Sequence, residues 1–239
     1  MLSVQDIIIQ VEEKIVINNI SLTFQQGHNY CLLGKNWSWK SSLAMTIMGH
    51  PEYEISQWDI FLDGVSIKNM AAHERSKLGI FLAFQSIPEI KGVKLFEFLR
   101  TIYNACYDTK ESFVSFKKII IPLMEELRID KEFLWRDLNV GFSGWERRKI
   151  EVLQLKLLKP KYIFLDEVDS WLDVDAFRAV AQMIKEMNNA DNSFIIITHY
   201  FSILDYIPVD CIYVLQHWLL QKQWWLEIIE EIKKKWFQS

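Results

Sequence analysis

Short apolar runs and longer helical repeats succeed one another along this chain. Short runs rich in β-branched and aromatic residues predict strands, and apolar residues spaced three or four apart predict helices. The predicted strands are Leu2–Gln10, Ile15–Phe24, Tyr30–Leu33, Ile60–Leu62, Gly79–Phe84, Tyr162–Leu165 and Phe194–Thr198. The predicted helical segments are Ser41–Met48, about 95–127, from the Ser143 cap to about Leu158, Val174–Met187 and, after a short strand pair, about 226–235.

The order of these elements predicts an α/β fold. Strands that alternate with helices favour a mainly parallel sheet that is covered on both faces. In such sheets, ligands lie beyond the carboxyl ends of the strands. Three apolar strands end in polar, chemically capable groups: the loop after Leu33, the pair Asp166–Glu167, and His199. We therefore expect a ligand site where these ends meet.

Composition and charge narrow the classes of function. A chain of 239 residues, half of them hydrophobic, is large enough for one domain or two tightly joined lobes. A net charge of −4 argues against a general nucleic-acid or anionic-membrane binder. The three cysteines are scattered, and neither a signal peptide nor a membrane-spanning apolar run is predicted. We expect a cytoplasmic protein with no nucleic-acid partner and no membrane insertion.

An aromatic and partly basic stretch, Trp224–Phe237, lies near the carboxyl end of the chain. It has two interpretations: a helix on a membrane surface, or a terminal helix with Glu230–Lys234 and Glu231–Lys235 pairs. The terminal helix is the interpretation that we favour.

The loop after the third predicted strand has the spacing of a phosphate-binding loop. It reads Gly34-Lys35-Asn36-Trp37-Ser38-Trp39-Lys40-Ser41. The motif G-x-x-x-x-G-K-[ST] forms an anion cradle from backbone N–H groups, while its lysine reaches the outer phosphates and its hydroxyl holds Mg²⁺. Lys40 and Ser41 fit those roles, but Trp39 stands at the second glycine. The strict motif is therefore absent.

Five segments spread along nearly the whole chain carry a family pattern. They are LLGKN-S-KSSLAMTIMGHPEYE, GIFLAFQSIPEIKGV, LNVGFSG-ERRK, YIFLDEVDS-LDVDA and FIIITHYFSILDYI, where each dash is a tryptophan. Through them the sequence resembles the nucleotide-binding ATPase of the ABC superfamily, and within it the SufC-type ATPase of iron–sulfur cluster assembly. The resemblance implies one α/β domain with a mainly parallel sheet core, an N-terminal antiparallel β part and a helical subdomain. Residues 1–85 and 159–239 would form the RecA-like core, and about 86–158 the Q-loop and helical subdomain.

The resemblance also implies a role for each matching residue. The implied ATP-binding residues are Gly34, Asn36, Ser38, Lys40, Ser41, Ser42, Ser143 and Gly144. The implied Mg²⁺ ligands are Ser41, Gln85 and Asp166. The implied catalytic residues are Glu167 as general base for water, His199 as sensor of the γ-phosphate, and Gln85 of the Q-loop. Implied partners are a second copy in an ATP-closed dimer and scaffold proteins of the SufB and SufD type, contacted around Gln85–Lys94 and the helical subdomain.

The departures from the family pattern are all tryptophans. The chain has ten tryptophans and only eight glycines, against a usual glycine share of about 7%. Where the family has glycine in its phosphate, signature and D loops, this chain has Trp37, Trp39, Trp145 and Trp171. Other tryptophans at turn-like positions are Trp58, Trp218, Trp225 and Trp236, with Trp224 assigned to the same set and Trp135 less certain.

Steric arguments predict that these tryptophans inactivate the site. A non-glycine residue in the left-handed conformation costs about 1–2 kcal/mol, and an indole at Trp39 has to fill the cradle or push the following helix off its strand. Trp145 and Trp171 occupy loops that close on a second copy, so dimer closure is predicted to be lost. We therefore expect no bound ATP or Mg²⁺, no ATPase activity, and marginal stability.

Three hypotheses for function follow from these residues. The chain is a working ATPase that tolerates its tryptophans, a catalytically inactive variant that keeps the fold and its partner surfaces, or a chain that does not fold stably. We favour the second and third over the first.

Overall fold

The computed structural model describes residues 1–34, 39–167, 174–198, 206, 208–216 and 219–225. The strands are β1 (Leu2–Val11), β2 (Lys14–Phe24), β3 (Tyr30–Leu33), β4 (Glu54–Leu62), β5 (Val65–Ser66), β6 (Ile80–Ala83), β7 (Ile90–Lys94), β8 (Asp137–Leu138), β9 (Tyr162–Asp166), β10 (Ser193–Thr198), β11 (Cys211–Gln216) and β12 (Leu219–Trp225). The helices are α1 (Lys40–Met48), α2 (Ala72–Lys77), α3 (Leu95–Tyr107), α4 (Phe113–Glu126), α5 (Gly144–Leu158) and α6 (Val174–Met187), with a 3₁₀ helix at Lys131–Trp135.

A largely parallel sheet forms the centre of the molecule. Among the described residues its strand order is β12-β11-β3-β10-β9-β6, in which only the β11–β12 pair is antiparallel. Strand β3 lies between β10 and β11, with Tyr30 opposite Ile195 and Cys211. A second sheet, β2-β1-β4-β5, is antiparallel. The predicted α/β fold with an antiparallel β part is confirmed.

The parallel strands bury both of their faces because successive side chains point to opposite sides. In β9, Tyr162 and Phe164 join the apolar core shared with the antiparallel sheet and α1. Ile163 and Leu165 join a second core on the other face. A third core lies among α3, α4 and α5. The division predicted at residues 85 and 159 stays a prediction, and no helix within the described ranges is long and apolar enough to cross a membrane.

The helical segment predicted at about 95–127 consists of two helices. Helix α3 ends at Tyr107, and its C-cap, Asp108, has a left-handed φ of 50°. Ser112 caps α4 by accepting a hydrogen bond from the Ser115 amide at 3.2 Å. The pattern also missed α2, β5, β7 and β8, which are too short for a clear period. The helix predicted over 226–235 lies outside the described residues.

Arg75 closes the carboxyl end of α1. Arg75 is 3% exposed, and its guanidinium donates to the carbonyl oxygens of Thr46 at 2.8 Å and Ile47 at 3.0 Å. It also donates to the carbonyls of Met70 and Lys68. Backbone carbonyls at a helix end lack partners within the helix, and a cation there also interacts favourably with the helix dipole. Helix α1 is therefore anchored firmly at its carboxyl end.

Trp58 lies inside strand β4, so the prediction that it occupies a turn-like position is wrong. It interrupts the β1–β4 pairing, where Asp59 lies opposite Gln5 and Gln57 opposite Ile8, so the register shifts. Its φ is 58°, and its side chain is 64% exposed. A bulge residue with left-handed φ is a position that glycine fills without strain. Trp225 is also in a strand, paired with Cys211, whereas Trp218 and Trp236 lie outside the described residues.

Replacing Trp58 by glycine is expected to stabilise the protein by about 1 kcal/mol. Relief of the left-handed strain contributes about 1–2 kcal/mol. The greater conformational entropy of glycine in the unfolded chain offsets part of this gain. The free energy of unfolding in urea measures this gain. Trp58→Ala is the matched control, since it removes the indole but keeps a Cβ at the same φ, and it should recover little. A loss of stability in Trp58→Gly would show that the exposed indole is itself stabilising.

Candidate nucleotide-binding site

Three strands of the parallel sheet bring candidate residues to one edge. Gly34 follows β3, Gln85 follows β6, and Glu167 follows β9. Strands β3 and β9 both pair with β10, and β6 pairs with β9. Their carboxyl ends therefore meet where a ligand is expected in such a sheet. The predicted convergence is seen for Gly34 and Glu167, Gln85 joins them from a strand that was not part of that prediction, and His199 lies outside the described part of the chain.

Ser41 and Asp166 form a pair of oxygen ligands. The Ser41 hydroxyl donates to Oδ1 of Asp166 at 2.9 Å, and Asp166 is 2% exposed. Burial raises the pKa of Asp166 to about 6, and the hydrogen bond from Ser41 opposes this rise. The neighbouring charges act on this pKa too: Glu167 raises it and Lys40 lowers it. A hydroxyl beside a carboxylate matches the oxygen chemistry of Mg²⁺, so these two residues fit the metal that the resemblance implies.

Asp166 is expected to cost stability at neutral pH. Its pKa is higher in the folded protein than in the unfolded chain, so the folded state binds more protons between about pH 4 and 6, and stability falls as the pH rises through that range. Asp166→Asn removes the ionisation and should raise the free energy of unfolding at pH 7 by about 1–3 kcal/mol. Denaturation at pH 7 and below pH 4 checks this; an equal gain at both values would contradict it.

Gln85 and Glu167 contact each other across the strand ends. The Gln85 amide donates to Oε2 of Glu167 at 2.5 Å. The Glu167 backbone has a φ of 46°, and its amide donates to the Ile197 carbonyl at 2.9 Å. This hydrogen bond ties the residue directly after β9 to β10. The structure therefore brings together two residues to which the resemblance assigns roles in handling water.

Lys40 is buried at the start of α1. Its side chain is 4% exposed, and its ammonium donates to the Gly34 carbonyl at 2.8 Å. Burial lowers its pKa, while the nearby Glu167 and Asp166 carboxylates raise it. An ammonium held at the strand end beside two carboxylates is placed to meet an anion, provided that it leaves the Gly34 carbonyl.

Trp39 is the N-cap of α1 and carries two costs. Its φ is 61° and ψ is 22°, a left-handed conformation, and its side chain makes no cap hydrogen bond. Its indole packs against the core around α1, but the indole N–H is buried without a partner among the described residues. An unsatisfied buried donor costs about 1–3 kcal/mol. The indole has not pushed α1 off the sheet, since Leu43, Ala44 and Ile47 are fully buried.

The signature segment opens α5 with a capping box. The Ser143 hydroxyl accepts from the Glu146 amide at 3.3 Å, and Glu146 accepts from the Ser143 amide at 2.7 Å. Ser143 and Gly144 are exposed. Trp145 packs partly against the second core, and the Lys149 ammonium lies 5.3 Å from its ring centroid. Trp145 is an ordinary helical residue, so its predicted damage concerns bulk and not backbone strain.

A buried ion pair beneath the Q-loop was missed by sequence reasoning. Arg148 and Glu151 are 5% and 7% exposed and join at 2.5 Å. Arg148 also donates to the Phe84 carbonyl at 3.1 Å and the Gln85 carbonyl at 3.5 Å. Opposite charges three residues apart on a helix usually indicate a solvated pair. Only the packing of α5 under the 84–85 segment shows that this pair supports the loop.

Several predicted site residues lie outside the described part of the chain. They are Asn36, Trp37, Ser38, Trp171 and His199. Ser42 is buried in α1, where its carbonyl accepts from the Thr46 hydroxyl at 2.7 Å. Its predicted contact with ATP, like the other ligand contacts, stays a prediction.

The family of the chain follows from comparison with known proteins. The family model described as ABC transporter matches residues 17–170. The chain belongs to the ABC transporter ATPase family. This ABC ATPase is 40% identical over 220 residues to a probable ATP-dependent transporter, ycf16, of Antithamnion sp., and the match covers 90% of this chain and 88% of that protein. It is 38% identical over 218 residues to a probable ABC transporter ATP-binding protein of Streptococcus pyogenes serotype M3, covering 90% and 85%.

Solved structures share the fold of this ABC ATPase. A dimeric ATP-binding cassette in a post-hydrolysis state with ADP and Pi matches with a TM-score of 0.80 at 16% identity, over 95% of this chain and 99% of that one. A nucleotide-free cassette matches with a TM-score of 0.78 at 18% identity, over 98% and 95%. At such identities the likeness establishes the cassette fold alone.

Proposed function

We propose that this chain is an ATPase subunit of the SufC type, from iron–sulfur cluster assembly, whose nucleotide site is inactive with the tryptophans it carries. The observation that carries the proposal is Trp39: a bulky residue with φ of 61° stands directly before Lys40, and its buried indole N–H has no hydrogen-bond partner in the described part of the chain. The family motif has glycine there so that backbone N–H groups can approach phosphate. Trp37, in the same loop, adds a second indole.

The remaining catalytic side chains support descent from a working ATPase. Ser41 and Asp166 would hold Mg²⁺, and Lys40 would meet the outer phosphates after leaving the Gly34 carbonyl. Gln85 would orient water for Glu167, which would accept its proton. When bound, Mg²⁺ neutralises charge that develops on the transferred phosphoryl group. Catalysis of this kind depends on positioning, so correct side chains without a phosphate cradle do not suffice.

We propose that closure of the ATP-bound dimer is lost as well as nucleotide binding. In the family, Ser143 and Gly144 of one copy would close on the nucleotide of another. Trp145 follows them directly, and its indole adds bulk beside these exposed residues. Trp171 would add bulk in the D-loop at the same interface.

Binding to a scaffold protein without nucleotide is the second candidate function. The implied partner surface, 85–94, is almost entirely exposed and includes the side chains of Ile90 and Val93. Asn139 and Arg147 hold this segment by donating to the Pro88 carbonyl and the Glu89 carboxylate. Exposed Phe84 lines an adjacent cleft of about 250 Å³ with Phe98 and Ile102. None of these contacts uses a residue of the phosphate loop, although Arg147 lies two residues after Trp145 in α5, so the partner surface does not depend on an intact cradle.

Two assays test the proposed function. Mg²⁺-dependent ATP turnover by the chain should equal that of its Lys40→Ala variant, because neither has a working cradle; turnover that Lys40→Ala abolishes would establish a working ATPase instead. Pull-down of a SufB–SufD-type scaffold should succeed equally with and without ATP. A cooperative melting curve by circular dichroism is the control, since loss of both partner binding and cooperative melting would identify a chain that does not fold stably.

A further inference from the structure

Two tryptophans occupy backbone positions that glycine occupies elsewhere in this protein. Trp39 and Trp58 have φ of 61° and 58°. Six of the eight glycines also have positive φ: Gly27, Gly49, Gly64, Gly79, Gly92 and Gly141. Ten other described non-glycine residues share the left-handed region, but all are Asp, Asn, Glu, Lys or Arg. A bulky aromatic residue is a genuine outlier there.

Neither indole shows a hydrogen bond among the described residues that would account for a tryptophan at its position. The Trp39 indole N–H is buried without a partner among the described residues, although buried tryptophan N–H groups usually find one. The Trp58 ring is 64% exposed on a strand bulge. Both positions therefore combine a backbone conformation typical of glycine with a bulky aromatic side chain.

The same replacement recurs across the chain. Trp39 stands at the second glycine of the phosphate-loop motif, and Trp37, Trp145 and Trp171 stand at glycines of the family pattern. The eight glycines and ten tryptophans together make up 18 of the 239 residues, close to the roughly 7% that glycine alone usually takes. Independent mutation of glycines would yield a mixture of Ala, Ser, Asp and others. Replacement by one residue type throughout requires a single cause.

We propose that the codons at positions 37, 39, 58, 145 and 171 are UGA, and that the cell from which the gene comes reads UGA as glycine. UGA is a stop codon in the standard code that some genomes read as tryptophan and others as glycine. It differs by one base from the tryptophan codon UGG and by one base from the glycine codon GGA. One reading rule therefore exchanges tryptophan for glycine at every such codon and leaves all other residues unchanged.

This inference goes beyond the proposed inactivity of the tryptophan-containing chain and does not depend on it. The protein made in its own cell would have glycine at the N-cap of α1, at the β4 bulge, and in the phosphate, signature and D loops. Its phosphate loop would then match the strict motif. Such a protein would carry the glycines of an active ABC ATPase, whatever the activity of the chain with tryptophan.

The inference is tested by mass spectrometry of peptides from the native protein, purified from its source cell. The gene is sequenced in parallel to read the codons. Peptides covering positions 39 and 58 should have the masses expected for glycine, and both codons should be UGA. Peptides covering Gly49 and Gly64, encoded by GGN codons, are the matched controls. Tryptophan as the main species at either position, or UGG at either codon, would overturn the inference. The peptide masses do not bear on the ATPase assay of the tryptophan-containing chain. Failure of the reading of UGA as glycine can therefore be distinguished from failure of the proposed inactivity.

Discussion

Replacing Trp37 and Trp39 together by glycine is expected to restore binding of Mg·ATP, measured by calorimetric titration beside the unchanged chain. A triphosphate in this loop type is held by several backbone N–H groups at a helix N-terminus. Hydrogen bonds to charged groups contribute about 1.5–3 kcal/mol each, so regaining two of them corresponds to a gain in affinity of at least about 100-fold. The unchanged chain should give no binding heat.

Controls separate the cradle from general stabilisation. Trp58→Gly relieves the same kind of strain in a distant strand, so it should stabilise the protein without restoring binding. Trp39→Ala in place of Trp39→Gly should restore less, because a Cβ remains at φ of 61°. Equal binding by the unchanged chain would refute the steric argument. Binding by neither chain would assign the defect to the other tryptophans, beginning with Trp145→Gly.

Loss of the buried Arg148–Glu151 pair is expected to have the largest effect on stability. Arg148→Met leaves the Glu151 carboxylate without its cation and should lower the free energy of unfolding by about 3–5 kcal/mol. Burial already raises the pKa of Glu151, and Arg148 opposes that rise. Without Arg148 the pKa rises further, so the deficit should grow as the pH rises above the range in which glutamate ionises in the unfolded chain. Urea denaturation at pH 5 and pH 8 measures both effects.

The double variant Arg148→Met/Glu151→Leu is the matched control for this pair. It removes both charges and should regain most of the lost stability, because an apolar pair needs no desolvation of ions. It does not restore the hydrogen bonds to the Phe84 and Gln85 carbonyls. In the Trp37→Gly/Trp39→Gly background, the affinity for Mg·ATP should therefore stay low in the double variant although stability returns, because Gln85 is an implied Mg²⁺ ligand. Recovery of both properties would show that Arg148 does not position the Q-loop.

The periodic pattern predicted the long elements because they bury apolar side chains on regular faces. Strand β3 and helix α6 have the predicted bounds, and the capping box at Ser143 and Glu146 forms as expected. Short elements such as α2 and β7 were missed, since six residues or fewer carry little periodic signal. Trp58 shows another limit, because a strand bulge is set by pairing with β1, far along the chain.

Within the site, the family resemblance implied which residues meet, and packing decided how. The Ser41–Asp166 and Gln85–Glu167 contacts join residues far apart in sequence that the parallel sheet brings to one edge. The burial of Arg148 and Glu151 was not predictable, since their charges alone indicate a solvent-facing helix surface. The orientation of the Trp39 indole towards the core was not predictable either, because it depends on the space left beside α1.

Arg75 holds the end of α1 that lies opposite Trp39. The four carbonyl oxygens that it binds belong to the last turn of α1 and to the segment that leads into α2. These bonds clamp the carboxyl end of α1, which is remote from the phosphate loop. The amino end of the helix, next to Trp39, is free of this clamp. A repair confined to the free end needs no rearrangement of the clamp, so two substitutions in the loop should suffice to recover a usable anion site.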